Sequence, residues 1–265
     1  MTTVPRTARR ARGTKPIARG RIFRAGPLEI PHIGPRSIDV YLPPGYDHDL
    51  HKRYPVMYMF DGQNVFGDEG SFAGGWRTHL VLDRLAARGM KVPVVVGLHH
   101  GNGQRIDELA PWRAGHGGGK ADLLLDWMAG DLHHQVLRNL RTLPGPENVT
   151  VAGSSMGGLT ALYAVFRRPD AFGKCVAMSP SLWVGHGEIF RWLEHVATPW
   201  SCKVYMDSGG RERWLAQSAR AMAQVLSHKG LEPGRHLWYR ADPRGGHHER
   251  SWRRRLPSAL RFVLK

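Results

Sequence analysis

Apolar and polar positions along this chain switch repeatedly between a period of two and a period near 3.6, and the switching predicts its elements. Ser37 to Leu42 places Ile38, Val40 and Leu42 on alternate positions, as in a strand with one buried face, and the run stops at Pro43-Pro44-Gly45. Tyr54 to Phe60 and Val92 to Leu98 are short apolar runs without alternation, the pattern of strands covered on both faces. His79 to Ala87, between them, reads as a helix. From Ala121 to Leu140 the apolar residues Leu124, Leu125, Met128, Leu132, Val136 and Leu140 recur at helical spacing, which predicts an amphipathic helix. Further strands are predicted at Val149 to Ala152, Lys174 to Met178, Cys202 to Met206 and His236 to Tyr239. Helices near 157–168, 212–228 and 250–263 separate or follow them. Parallel neighbours need crossover connections, so this order implies an α/β fold with a mostly parallel central sheet flanked by helices. The later strands are too closely spaced to admit a large lid.

Composition narrows the class. With 265 residues, 42% hydrophobic and 23% charged, the chain can bury a large core, which excludes wholesale disorder and a small disulfide scaffold. Cys175 and Cys202 each open a candidate strand and read as small buried residues. No run approaches the roughly 18 apolar residues that cross a bilayer, so membrane insertion is not expected.

The formal charge of +16 is unevenly placed. Arg6, Arg9, Arg10, Arg12, Lys15, Arg19, Arg21 and Arg24 precede the first acid, Glu29, and supply half of it. The expected organisation is a basic, flexible tail over residues 1–28 and one domain over 29–265. Such an arm reads as a solvated terminus, and no specific nucleic-acid partner is expected. Arg9-Arg10 is followed by no apolar segment, so neither an export signal nor a transit peptide is recognised and the expected location is cytoplasmic.

The chemistry concentrates at Val149-Thr150-Val151-Ala152-Gly153-Ser154-Ser155-Met156-Gly157-Gly158, a Gly-x-Ser-x-Gly pattern between an apolar strand and an apolar helix. Glycines two residues to either side let strand and helix approach without colliding Cβ atoms, and the serine projects from the sheet's carboxyl edge. A serine hydroxyl is a weak nucleophile at neutral pH, so it needs a base and a group that orients the base. On such a fold the acid and then the histidine follow the serine. His247 and His248, after Arg244-Gly245-Gly246 and before the last helix, are the candidates for the base. Asp207 and Glu212, at the end of a strand and the start of the next helix, are equal candidates for the acid, with Asp242 a weaker third.

Taken together these residues resemble the esterase branch of the α/β-hydrolase superfamily that includes esterase D, enterochelin-type siderophore esterases, feruloyl and acetyl-xylan esterases and the mycolyltransferases. The similarity runs from about Asp39 to Leu264. Its marks are Phe60-Asp61-Gly62-Gln63-Asn64-Val65-Phe66, Arg105-Ile106-Asp107-Glu108-Leu109-Ala110-Pro111, the serine turn, Ser179-Pro180-Ser181-Leu182-Trp183, Asp207-Ser208-Gly209 with Glu212, and Gly246-His247-His248-Glu249-Arg250-Ser251-Trp252. The resemblance implies an α/β-hydrolase fold with Ser155 as nucleophile, His247 as base and Glu212 as acid. It implies an oxyanion hole from the backbone N–H groups of Gln63 and Met156. It makes Trp183 an aromatic wall of the substrate cleft, and Trp76, after Gly74-Gly75, a second lining residue.

The expected function is a serine carboxylic-ester hydrolase that forms an acyl-enzyme on a bulky or anionic ester, such as a siderophore lactone. A feruloyl or acetyl sugar ester is the alternative substrate. A catalytically silent hydrolase fold with a nucleic-acid-binding arm is the alternative of another class. No cofactor and no metal are expected: the pairs His99-His100 and His133-His134 project in different directions in regular structure and lack partner spacing. Gly117-Gly118-Gly119-Lys120 fails the phosphate-loop pattern. Arg105 and Glu108 read as braces between loops rather than reacting groups.

Overall fold

A computed structural model describes residues 17–68, 71, 73–115, 117–199 and 201–265. Eight strands form one sheet: β1 Arg21–Ile30, β2 Gly34–Leu42, β3 Val56–Phe60, β4 Val94–Leu98, β5 Val149–Ser154, β6 Lys174–Met178, β7 Lys203–Gly209 and β8 Leu237–Asp242. Their spatial order is β1-β2-β4-β3-β5-β6-β7-β8. From β4 to β8 every pairing is parallel, whereas β2 runs antiparallel to both β1 and β4. The carboxyl ends of six parallel strands therefore open on one rim, where loops can bring distant residues together.

Helices cover both faces. Those of seven residues or more are α1 Thr78–Ala86, α2 Ala121–Trp127, α3 His133–Asn139, α4 Met156–Arg167, α5 Val184–His195, α6 Arg213–His228 and α7 Glu249–Val263. The single amphipathic helix predicted over 121–140 is interrupted by a π turn at Met128–Leu132, across which the apolar stripe continues into the core. Strand alternation divides the core into two layers. Val56, Tyr58 and Phe60 of β3 face the layer covered by α4 and α6, while Met57 and Met59 face the one covered by α1 and α7. Both cysteines are buried and unpaired. Among the described residues no helix is long and apolar enough to cross a membrane.

The boundary of the basic tail requires correction. Residues 1–16 lie outside the described residues, but Arg21–Ile30 is strand β1, paired with β2 in antiparallel register. Its cations are placed on a mostly exposed edge strand and matched by acids: Arg21 Nε lies 2.9 Å from Asp47 and Arg24 Nε 2.8 Å from Asp39. An edge strand needs one partner only, so a polar face costs it little and leaves no hydrophobic signature to read.

At the crossing of β5 and α4, a Cβ on Gly153 would stand 2.5 Å from the carbonyl carbon of Gly157. By contrast a Cβ on Gly130, in the π turn, meets nothing within 4 Å. Gly153→Ala is expected to lower unfolding free energy by about 1–3 kcal/mol or more through overpacking, whereas Gly130→Ala should be neutral or stabilising by up to about 1 kcal/mol. Urea denaturation of the two variants checks this, and equal stabilities would contradict the close crossing.

Candidate active site

Ser155 occupies the turn between β5 and α4 with φ 55° and ψ −118°. A non-glycine residue in this region carries roughly 1–3 kcal/mol of strain. Three backbone bonds hold it there. The Ser155 N–H donates to Met178 O at 2.9 Å, and its carbonyl accepts from Leu159 N at 3.0 Å and Ser181 N at 2.9 Å. The hydroxyl thus emerges at the rim, 3.1 Å from Ser181 Oγ and 2.9 Å from His247 Nε2.

His247 sits in the loop between β8 and α7. Its ring packs edge-on against Trp252, with centroids 5.1 Å apart, and its other nitrogen, Nδ1, lies 3.5 Å from Glu212 Oε1. That separation is an ion-pair distance rather than a closed hydrogen bond, and such contacts commonly tighten when substrate binds. Glu212 is buried at the start of α6. Burial pushes its carboxyl up, but its neighbours outweigh it and hold the group below the ordinary carboxylate range: the facing His247 ring, the Gly209 N–H at 2.9 Å and the Ser179 O–H at 3.0 Å.

The competing acid, Asp207, has other partners. It is fully buried, receives Arg255 Nε at 2.9 Å, the Tyr205 hydroxyl at 3.2 Å and the Ser179 N–H at 3.1 Å. Burial pushes its carboxyl up to about 6 against the pull of Arg255. Asp242 is engaged by Arg254 at 2.8 Å. His248 contacts Ser251 Oγ at 3.3 Å.

Gln63 lies in a short 3-10 turn, Gly62–Asn64, that follows β3. The turn's own bonds use the N–H groups of Asn64 and Val65 and leave that of Gln63 outside them. Met156 is the first residue of α4, whose leading N–H groups have no intrahelical acceptor. The two segments are packed together, because a Cβ on Gly157 would be 3.0 Å from Phe60 Cβ and 3.2 Å from Asp61 Oδ2. Arg105 grips both oxygens of Asp61, at 2.6 and 2.8 Å, and so clamps this turn from outside. Behind it, Glu108 is buried against Arg36 and accepts from Gly101 N–H.

The two expected cleft tryptophans separate. Trp183 is 47% exposed and meets Trp214, 54% exposed, in an edge-to-face contact with centroids 6.4 Å apart. Trp76 is not a cleft residue: it is only 3% exposed and packs in the core against Trp252. An indole two residues from the helix-starting segment finds more apolar area to bury below the rim than on it. Arg211 and Arg244, on the loops that carry Glu212 and His247, and Arg213 and Arg250, in the first turns of the helices that follow, are exposed, and none forms an ion pair among the described residues. Those loops are tied by Arg211 N–H to Gly245 O at 3.0 Å.

Sequence reasoning passed over Trp214, Arg255 and the hydroxyls of Ser179 and Ser181. The only sequence signal was the Ser179-Pro180-Ser181 segment itself, which carries no pattern that says where its hydroxyls point. Among the described residues no cluster of histidines, cysteines and carboxylates is arranged to hold a metal.

Comparison with known proteins agrees with this architecture. YbbA of Bacillus subtilis, an uncharacterized protein, is 25% identical over 260 residues, covering 90% of this chain and 96% of that one. A siderophore triacetylfusarinine C esterase of Aspergillus fumigatus is 30% identical over 136 residues, 49% of this chain, and the match spans 44% of that protein. The solved structure of the siderophore hydrolase EstA from Aspergillus nidulans superposes with a TM-score of 0.73 at 19% identity, covering 99% of each chain, which shows a shared fold. The model of the family described as "Putative esterase" matches residues 34–263, from β2 to the end of α7, and the chain belongs to that esterase family.

Proposed function

We propose that this protein is a serine carboxylic-ester hydrolase working through an acyl-enzyme, with Ser155 as nucleophile, His247 as base and Glu212 as the acid that orients it. The observation that carries the reading is the 2.9 Å approach of His247 Nε2 to Ser155 Oγ, across 92 residues of sequence. His247 takes the hydroxyl proton at Nε2 as Oγ attacks the ester carbonyl. The carbonyl oxygen, now negative, is met by the N–H groups of Gln63 and Met156. Losing one such donor typically costs about 3 kcal/mol of transition-state stabilisation. The alcohol departs with the proton from Nε2. Water then attacks the acyl group, giving its proton to the same nitrogen, and the acid leaves with Ser155 restored. Through both halves Nδ1–H points at Glu212, which stabilises the imidazolium.

The substrate is a bulky ester with a flat or anionic portion. The exposed Trp183–Trp214 pair offers aromatic faces two residues beyond Ser181, whose hydroxyl meets Ser155, and the arginines flanking Glu212 and His247 supply exposed positive charge. A cleft of about 790 Å³ reaches the oxyanion turn at Gln63, between Phe23, Phe66 and Arg77, but neither Ser155 nor His247 lines it. An anionic siderophore lactone fits these features, in keeping with the partial match to a siderophore esterase. A feruloyl sugar ester uses the tryptophans but not the charge.

Ser155→Ala is expected to lower turnover of a chromogenic acyl ester by roughly three to six orders of magnitude, and a fluorophosphonate should label Ser155 alone. No turnover by the native protein across acyl lengths and no label, together with salt-sensitive DNA binding, would favour the silent alternative. In a substrate panel, Trp214→Ala should raise KM for aromatic esters by about tenfold and leave acetyl esters within about twofold; a uniform loss contradicts the aromatic subsite.

Glu212 yields a pH prediction as well. Its folded carboxyl lies below the unfolded value of about 4.3. Its contribution to stability is therefore full above that pH and is lost as pH falls through the folded value. The difference in urea stability between native protein and Glu212→Gln should be larger at pH 5 than at pH 3, and an unchanged difference contradicts the assignment.

A further inference from the structure

Beneath the candidate triad lies a second layer of polar groups that the reaction just described does not use. Its hub is the hydroxyl of Ser179, fully buried at the end of β6. Three groups reach it: Trp252 Nε1 at 3.1 Å, Arg255 Nη2 at 2.9 Å and Glu212 Oε1 at 3.0 Å. An indole N–H and a guanidinium N–H can only donate, so together they fill both acceptor sites of the hydroxyl. Its one proton then has a single acceptor left, the Glu212 oxygen that faces His247.

Each neighbour is itself fixed. Arg255 is fully buried and its Nε is held by Asp207 at 2.9 Å, so the guanidinium cannot rotate away without stranding a buried charge. Trp252 lies three residues earlier on α7 and presses its ring against both His247 and Trp76. The backbone of Ser179 is pinned at φ 43°, with its N–H on the carbonyl and Oδ1 of Asp207. One helix face therefore supports the base through a ring contact and the acid through a donated hydrogen bond.

We propose that Ser179, its hydroxyl directed by Trp252 and Arg255, is a positioning residue that aims the Glu212 carboxylate at His247. The inference rests on the serine-hydrolase reading above and adds to it the element that sets the acid. Ser179 touches no reacting atom; it acts by leaving Oε1 one orientation. The gap of 3.5 Å between Glu212 and His247 makes that orientation consequential, since a small rotation of the carboxylate would lose the contact.

The test is a double-mutant cycle with a chromogenic short-chain ester, using native protein, Ser179→Gly, Glu212→Gln and the double variant. Glycine is the appropriate replacement because the backbone is left-handed at this position. The expected result is a fall in kcat of about tenfold for Ser179→Gly, with KM within about twofold. In the Glu212→Gln background the same change should alter kcat by less than about twofold. Equal losses in both backgrounds, or no loss in the native one, would overturn the proposal while leaving Ser155 and His247 in place. Full activity of Glu212→Gln would instead overturn the role given to Glu212, and the proposal with it. Trp252→Phe keeps the ring beside His247 but removes the donor, and it should lower kcat a few-fold in the native background only, not in Ser179→Gly. An identical effect in both would show that the indole acts by packing rather than through the hydroxyl.

Discussion

The rest of this structure depends on strain held at one turn. Ser155 has backbone angles that an L-residue adopts only when its surroundings leave no alternative, and the surroundings here are the close crossing of β5 and α4. Where Gly153 meets Gly157 there is no space for a side chain, so strand and helix approach until the turn between them cannot relax. Its hydroxyl is thereby lifted above the sheet's rim rather than folded into it. The same crossing brings the start of α4 beside the Asp61 turn, so one constraint sets both the hydroxyl and the packing of these two segments.

Below the rim the structure solves an electrostatic problem. Two carboxylates, Asp207 and Glu212, are buried within one small volume, and each would be driven toward its neutral form if left alone. They are kept apart in function by their donors. Asp207 takes the guanidinium of Arg255, whereas Glu212 takes hydrogen bonds from a backbone N–H and a hydroxyl and keeps one side open to His247. Helix α7 supplies most of this arrangement while also covering the sheet with Leu256, Ala259 and Leu260. Packing and part of the site's support are thus properties of one element.

Much of the architecture was legible because buried parallel strands and amphipathic helices leave strong periodic signals. The strand at Lys174–Met178 and the helix starting near 156 appear where the apolar pattern puts them. Strand β1 escaped because its pattern is dominated by exposed arginines, which read as a solvated arm until Asp39 and Asp47 are seen beside them. Trp76 misled for a related reason: an indole after two glycines suits a rim or a core equally, and only the presence of Trp252 decides.

The sequence by itself determined the α/β class, the serine turn and the short list of histidines and acids, because each follows from local spacing and backbone chemistry. Spacing alone could not choose between Asp207 and Glu212, five residues apart and equally suited by position, and only the resemblance favoured Glu212. Tertiary structure separated them by placing Arg255, 48 residues away, against Asp207 and leaving Glu212 to face His247. The physical ground for that difference was invisible in the spacing because a carboxylate's surroundings depend on which donors reach it, and here those donors come from strands and a helix that meet only after the chain has folded.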